Sequence, residues 1–390
     1  MAKNDGWGVD PDVFCVLPWT HVSASVYGVW GRCCFDNTND YDHYYHQARR
    51  PELTLRPNAV GCIPGSDFAA DNPDRVYTPS TVLDSPQMRA TRAEMLSGTR
   101  PKACEHCYWI ESFGAISHRR SMNAFFADKV DVDELVAATG PGGELNRQLL
   151  SIDLRLGNIC GLTCIMCSFP TSSGFGPTVK PKWTASHIDP YRGNAEFWED
   201  MPTATAIKYI YFAGGEPFLQ KTHLPFLDQL INHGRSSDIE LHYNSNLMQL
   251  PEEYLDRFAN FRRVVIAASC DGVDRTFERI RRGAKWDVFI RNVRVAAKTT
   301  EVWLDVSVQL GNVMELSEIL NVAEQEGVRA RFQNVVYYPH ELSILALPPE
   351  QNHAAQHYIT GLIERCEAQG DHTAVKELTG IHSTLLFAAR

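Results

Sequence analysis

Three cysteines stand in the order C-x3-C-x2-C, as Cys160, Cys164 and Cys167, directly after an apolar alternating run from Leu150 to Leu156. Cysteine is 11 of 390 residues, so this spacing is improbable by accident. Thiolates this close in one loop converge on a single soft metal centre. A closed structural zinc site wants four ligands. The loop holds no histidine, and the next cysteine downstream is Cys270. Three ligands leave one metal position open, which suits a [4Fe–4S] cluster with one iron free for a substrate.

A second set lies upstream: Cys15, the pair Cys33-Cys34, then Cys104 and Cys107. The pattern is C-x12-G-x4-C, with Gly28 as the turn glycine, followed by C-x2-C. A hairpin plus a knuckle brings four such thiolates together. Composition alone leaves a four-cysteine zinc ribbon standing beside an iron–sulfur cluster. Further on, Tyr211-Phe-Ala-Gly-Gly-Glu-Pro217 carries consecutive glycines, Gly214 and Gly215, which let backbone approach a ligand closely. Glu216 offers an acceptor for an ammonium group.

From Leu149 the chain alternates strand and helix, which implies parallel strands with helices outside. Strands are predicted at 149–157, 207–213, 238–244, 262–270, 302–310 and 329–338. Helices are predicted near 223–234, 251–259, 273–281, 286–298 and 313–326. Upstream, Thr20 to Trp30 reads as a strand pair, Ser85 to Leu96 and Tyr108 to Asn123 as helical. On the last, Ser117, His118, Arg119, Arg120 and Asn123 either line a cavity or form a solvated face. Residues 126–148 read as a linker with one short helix, and 339–390 as one extended segment and two helices. Residues 39–80, with Tyr41, His43, Tyr44, Tyr45 and His46, form a long irregular insertion, either a substrate-recognition element or a surface loop. Cys62 within it is a plain loop cysteine or a hydrogen donor. The loop Ser168 to Thr205, with Lys180, Lys182, Trp183, His187, Tyr191 and Arg192, is a substrate wall or a solvated connection. Cys270 and Cys366 read as core.

The net charge of −10 argues against a nucleic-acid partner. No apolar run is long enough to span a membrane, and the N-terminus lacks the apolar core of a signal peptide. Clustered cysteines without an export signal favour a reducing cytoplasm and metal thiolates over disulfides.

The cysteine loop after a first strand, together with Gly-Gly-Glu-Pro one strand later, resembles the radical S-adenosylmethionine (SAM) superfamily. The resemblance implies a partial (β/α)6 TIM-like barrel over 149–338, with the chemistry at the C-terminal ends of the strands. It implies a [4Fe–4S] cluster on Cys160, Cys164 and Cys167 whose free iron binds SAM. One electron then cleaves SAM to methionine and a 5′-deoxyadenosyl radical, which abstracts hydrogen from the substrate. The usual aromatic residue before the third cysteine is here Met166, whose thioether also covers an adenine face. Gly214, Gly215 and Glu216 would bind the SAM amino group. Ser269 would contact the ribose, and Arg281, with Arg282 as competitor, the SAM carboxylate. Asn246, Gln309 and Asn312 would face SAM or substrate.

The upstream set is similar to the SPASM and twitch domains, which carry auxiliary clusters. That likeness implies an α+β cluster-binding domain over 1–125 and an auxiliary [4Fe–4S] cluster on Cys15, Cys33, Cys104 and Cys107. Cys34 is the alternative to Cys33. A full SPASM domain would have a further cysteine at Phe113, so twitch is the better match. The order is unusual, because these domains commonly follow the barrel. An electron donor such as flavodoxin or ferredoxin is implied as partner. The expected function is modification of a substrate in natural-product biosynthesis, by oxidation, epimerisation or carbon–sulfur chemistry. No winged-helix peptide-binding segment is recognisable, which favours a small molecule such as a sugar or nucleoside over a ribosomal peptide. The readings from other classes are a non-catalytic iron–sulfur electron carrier and a zinc-stabilised binding protein.

Overall fold

The computed structural model describes residues 8–36, 55, 59–66, 68–176, 189–191, 194–203 and 206–389. The aromatic run Tyr41 to His46 lies outside these residues, as do Lys180, Lys182, Trp183, His187 and Arg192.

One nine-stranded sheet runs in the order β3-β2-β1-β4-β5-β6-β7-β8-β9. Its barrel strands are β4 Ser151–Leu154, β5 Tyr209–Phe212, β6 Glu240–Ser245, β7 Arg263–Ser269, β8 Glu301–Val308 and β9 Arg329–Val335. Each pairs in parallel with the next. These are the six strands that the alternation predicts. The other three come from the N-terminal part: β1 His21–Ala24, β2 Val29–Gly31 and β3 Gly61–Cys62. β1 and β2 form the predicted hairpin, with Gly28 at φ 72 in the turn. The finding that sequence did not supply is that β1 pairs in parallel with β4, His21 opposite Ser151 and Ala24 opposite Leu154. The N-terminal segment therefore extends the barrel sheet across the predicted boundary.

Upstream of the barrel lie α1 Leu17–Thr20, α2 Pro86–Leu96, α3 Glu105–Ser112, α4 His118–Phe126 and α5 Val132–Ala137. The predicted helix over 108–123 is thus two helices, broken after Ser112 at Gly114, which adopts φ 83. Around the barrel follow α6 Ala195–Thr203, α7 His223–Asn232, α8 Glu252–Phe258, α9 Asp274–Ile280, α10 Trp286–Ala296 and α11 Leu316–Glu326. The tail is α12 Pro349–Ala368 and α13 His372–Ala388. The helices dock by apolar stripes: α11 buries Leu316, Ile319, Leu320 and Ala323 at helical spacing. It stops at Gly327, whose φ of 66 suits a left-handed C-cap.

Side chains alternate across each strand, so each has an outer and an inner face. The outer face is apolar: Ile152 and Leu154, Ile210 and Phe212, Val302, Leu304 and Val306 all lie in the main core. The inner face is polar. It carries Ser151 and Asp153, Tyr211, His242, Ser269, Asp305 and Gln309. A lumen this polar is not built for stability alone. Cys62 packs with Val29, Leu55, Ala59 and Phe68 in a small separate cluster, and Cys270 and Cys366 are buried in the main core. Among the described residues no helix is long and apolar enough to cross a membrane.

Candidate active site

The loop after β4 carries Cys160, Cys164 and Cys167 and is fastened on two sides. Thr163 N–H donates to Arg282 O at 2.9 Å and Ile165 N–H to Ile280 O at 3.0 Å, tying the loop to the end of α9. Glu216 N–H donates to Ile159 O at 2.7 Å and Gly215 N–H to Thr171 O at 3.2 Å, tying it to the turn after β5. That turn needs both glycines. Gly214 and Gly215 sit at φ 76 and 58. A Cβ at Gly215 would lie 2.6 Å from Ile159 O, and one at Gly214 would lie 2.9 Å from Arg155 Cβ. The three cysteines and Glu216 are thus one backbone unit.

The thiols respond to their surroundings. Cys164 is drawn down to about 7, first by a hydrogen bond with Cys167 and also by the Arg281 guanidinium. The same hydrogen bond, with burial, pushes Cys167 up. Cys160 Sγ accepts from Leu162 N–H at 3.4 Å and lies 3.6 Å from Asn246 Nδ2. Burial still raises it to about 11. Met166 is partly buried against the core beside them.

Glu216 is 1% exposed, and its carboxylate is oriented from the end of β6. Ser245 Oγ donates to Oε1 at 2.8 Å and Asn246 N–H to Oε2 at 2.8 Å. Burial raises it to about 7 despite these bonds, so an ammonium group nearby would favour its charged form. Arg281 forms an ion pair with Asp271 Oδ2 at 2.8 Å. Burial opposes its charge, but Asp271 and then the thiols of Cys164 and Cys167 more than offset that. Its Nε donates to nothing among the described residues. Arg282, the competing choice, is exposed. Ser269 ends β7 on the inner face, opposite Asp305. Gln309 and Asn312 are fully buried behind Asp271: Asn312 Nδ2 donates to Asp271 O and to Ser307 O, both at 3.1 Å. Gln309 Oε1 has no partner among the described residues.

The upstream cysteines are also brought together. Cys33 is raised by burial and then by Cys34, Cys107 and Cys104, and Cys104 by burial and then by Cys15. Cys15 is pushed up to about 12 by burial, with Cys107 among its neighbours. Cys34 adjoins Cys33 and Cys107 as well. Its Sγ lies 3.8 Å from His118 Nε2, and burial with the nearby Asp153 carboxylate pushes it to about 12. Cys15, Cys33, Cys34, Cys104 and Cys107 are thus near neighbours, with Cys34 the one that also meets Asp153. Among the described residues, no three histidine, cysteine, aspartate or glutamate side chains are arranged for a single metal ion, which would hold its thiolates roughly 4 Å apart.

Arg119 and Asn123 belong neither to a cavity nor to a solvated face. Both are buried and clamp the Cys15 segment. Arg119 Nη1 donates to Pro11 O and Phe14 O, both at 2.7 Å, while its other face pairs with Glu111 at 2.5 Å. Asn123 accepts from Val16 N–H at 2.9 Å and donates to Phe14 O at 2.9 Å.

Four lumen residues escape a reading by motif: Asp153, Tyr211, Asp271 and Asp305. Their signal is a polar residue at every second position of an otherwise apolar strand, or just past its end. Tyr211 is raised well above the usual phenol range by burial and by Asp153, Asp305 and Cys34. Asp305 in turn neighbours Asp271 and Arg281. A run of electrostatic neighbours therefore leads from Cys34 through Asp153, Tyr211, Asp305 and Arg281 to Cys164.

The donor set fits a three-thiolate cluster with SAM beside it. Three thiols share a loop, no fourth stands with them among the described residues, and a buried acceptor and a buried guanidinium with a free donor flank them. Comparison with known proteins agrees at the level of family. Residues 154–325 match the model of the Radical SAM superfamily. No curated protein matches the sequence. Among solved structures, the chain is distantly similar to SuiB of Streptococcus suis bound to S-adenosylmethionine, at 12% identity and a TM-score of 0.40, over 56% of this chain and 48% of that one. It is similar to anSMEcpe with bound AdoMet, at 16% identity and a TM-score of 0.43, over 57% and 63%. It is also similar to the methyltransferase TsrM of Kitasatospora setae, at 14% identity and a TM-score of 0.33, over 47% and 35%. The chain spans less than two thirds of the length of each. The segment that holds the cysteine loop, Glu216 and Arg281 is the one that matches the radical SAM superfamily.

Proposed function

We propose that this chain is an enzyme that reductively cleaves SAM and uses the 5′-deoxyadenosyl radical to take a hydrogen atom from a small polar molecule held in the barrel lumen. The convergence of three thiols, Glu216 and Arg281 at the C-terminal ends of β4, β5 and β7 carries the reading. When bound on Cys160, Cys164 and Cys167, a [4Fe–4S] cluster supplies the electron for that cleavage. The chain's own residues position the co-substrate. Glu216, held by Ser245 and Asn246, accepts the SAM ammonium. Arg281 offers its free Nε to the SAM carboxylate while Asp271 fixes the guanidinium plane. Ser269 faces the ribose from the end of β7.

Cys15, Cys33, Cys104 and Cys107 would hold an auxiliary cluster of the twitch type. Four thiolates leave no iron open, so its part is to pass an electron. That suits oxidation, epimerisation or carbon–sulfur chemistry in natural-product biosynthesis. The polar inner face supports a small hydrophilic substrate such as a sugar or nucleoside over a ribosomal peptide. A flavodoxin or ferredoxin would reduce the first cluster.

The test uses protein purified and reconstituted without oxygen. Iron and sulfide are counted, dithionite and SAM are added, and 5′-deoxyadenosine is assayed. About eight irons with release of 5′-deoxyadenosine is the expected result. About four irons with activity removes the auxiliary cluster from the proposal. Iron without SAM binding or cleavage rejects the enzyme and leaves an electron carrier.

A further inference from the structure

Most charged groups of the lumen find an opposite charge within the chain. Arg281 meets Asp271 at 2.8 Å, Arg331 meets Glu377 at 2.7 Å, and Arg155 meets Asp153 at 3.3 Å. Asp305 does not. It is 4% exposed, its Oδ2 accepts only a neutral bond from Asn334 Nδ2 at 2.9 Å, and its Oδ1 has no hydrogen-bond partner among the described residues. The guanidiniums that act on it, Arg281 and Arg331, already pair with Asp271 and Glu377. Among the described residues named here, four carboxylates face three guanidiniums, and the unmatched charge is that of Asp305.

Asp153 repeats the pattern more weakly. It is 2% exposed, and its Oδ1 also lacks a partner among the described residues. Tyr211 has both carboxylates as electrostatic neighbours. Asp305 on β8 thus keeps an acceptor oxygen without a donor among the described residues, and Asp153 on β4, bonded to Arg155 and to Ser23, lies near the same phenol. A buried carboxylate without a cation is costly, and a hydroxyl group would satisfy the hydrogen bond but not the charge. A cationic nitrogen satisfies both. The position is also right for chemistry. Asp305 lies opposite Ser269 in the sheet and beside the Arg281–Asp271 pair, which adjoins Cys164.

We propose that the lumen binds a substrate bearing a protonated amine, with Asp305 taking its charge and Asp153 accepting a second hydrogen bond from it. The inference rests on the enzyme reading above and narrows its substrate class to amino sugars, amino acids and similar amines. Asp305 sets specificity, and the hydrogen removed lies near the amine-bearing carbon.

The experiment uses reconstituted protein with SAM and no reductant. Calorimetric titration compares two matched pairs of probes, D-glucosamine against D-glucose and L-alaninol against (S)-propane-1,2-diol. At least one amine should bind ten-fold or more tightly than its uncharged counterpart. Asp305→Asn should erase that preference, and Asp305→Glu should retain it. Should D305N lose its iron or its circular-dichroism signal, D153N takes its place and is expected to weaken amine binding several-fold. Equal affinities within each pair, a preference that survives the loss of charge, or no binding by either amine overturns the inference. SAM cleavage by the same wild-type preparation separates the two failures. Cleavage without amine preference sinks only this inference, whereas no SAM binding sinks the reading beneath it.

Discussion

Glu216 shows how one side chain is readied for a charge it does not yet meet. Two donors already hold its oxygens, yet burial keeps it near neutrality, so its full charge waits for a cation. Glu216→Gln keeps the shape and loses the charge. SAM affinity should fall roughly ten- to a hundred-fold, the range of a charged hydrogen bond, while iron on the three cysteines is unchanged. Equilibrium titration and iron analysis read the two. Asp305 gives a prediction about pH. Burial and Asp271 raise it from 3.8 to about 7. The folded state then binds more protons than the unfolded state between these values, so this group's contribution to stability is full below 3.8 and declines as pH rises to about 7. Melting temperature of substrate-free protein should fall over that window by more in the wild type than in D305N. An identical pH dependence in both would contradict the assignment. The residues that motif reading found are those whose signal is type plus spacing: the three cysteines and Gly214-Gly215-Glu216. Asp153, Tyr211 and Asp305 carry no such spacing, because what unites them is the inner face of a curved sheet, and that depends on strand register.

At the scale of elements, α4 is a clamp for the segment before β1. Arg119→Ala would leave Pro11 O without this donor, while Phe14 O keeps Asn123 and Glu111 keeps Ser117 and Arg120, at a cost of about 1–3 kcal/mol. The auxiliary cluster proposed for the upstream cysteines should be lost first, with SAM still bound at the barrel. Iron counting beside SAM titration distinguishes that from general unfolding. The turn after β5 makes the opposite prediction. In Gly215→Ala a methyl group meets backbone at Ile159 and takes a positive φ, which together costs about 1–3 kcal/mol. Here SAM binding should fail while the upstream cysteines keep their metal. Element type and order were readable because alternating apolar strands and amphipathic helices fill the region from Leu149 onward. The break between α3 and α4 was not, because helical spacing continues through Ala115 and only the left-handed Gly114 marks it. The clamp was also hidden, since Arg119 looks like any solvent-facing arginine until its carbonyl partners, over 100 residues earlier in the chain, are known.

For the whole molecule, the shared sheet matters most. Because β1 supplies the partner of β4, a chain beginning at residue 126 would expose a buried parallel edge. Such a fragment should aggregate, whereas the full protein should unfold in one step seen alike by circular dichroism and tryptophan fluorescence. Two separate transitions would show that the upstream part folds alone.

The same pairing has a consequence at the ribosome. His21 finds Ser151 across 130 residues, and synthesis at ~5–20 residues per second leaves an interval on the order of ten seconds between them. Throughout that interval the nascent β1–β2 hairpin presents one open edge, and the upstream thiols are already translated. Burial of that edge therefore waits until β4 has been made.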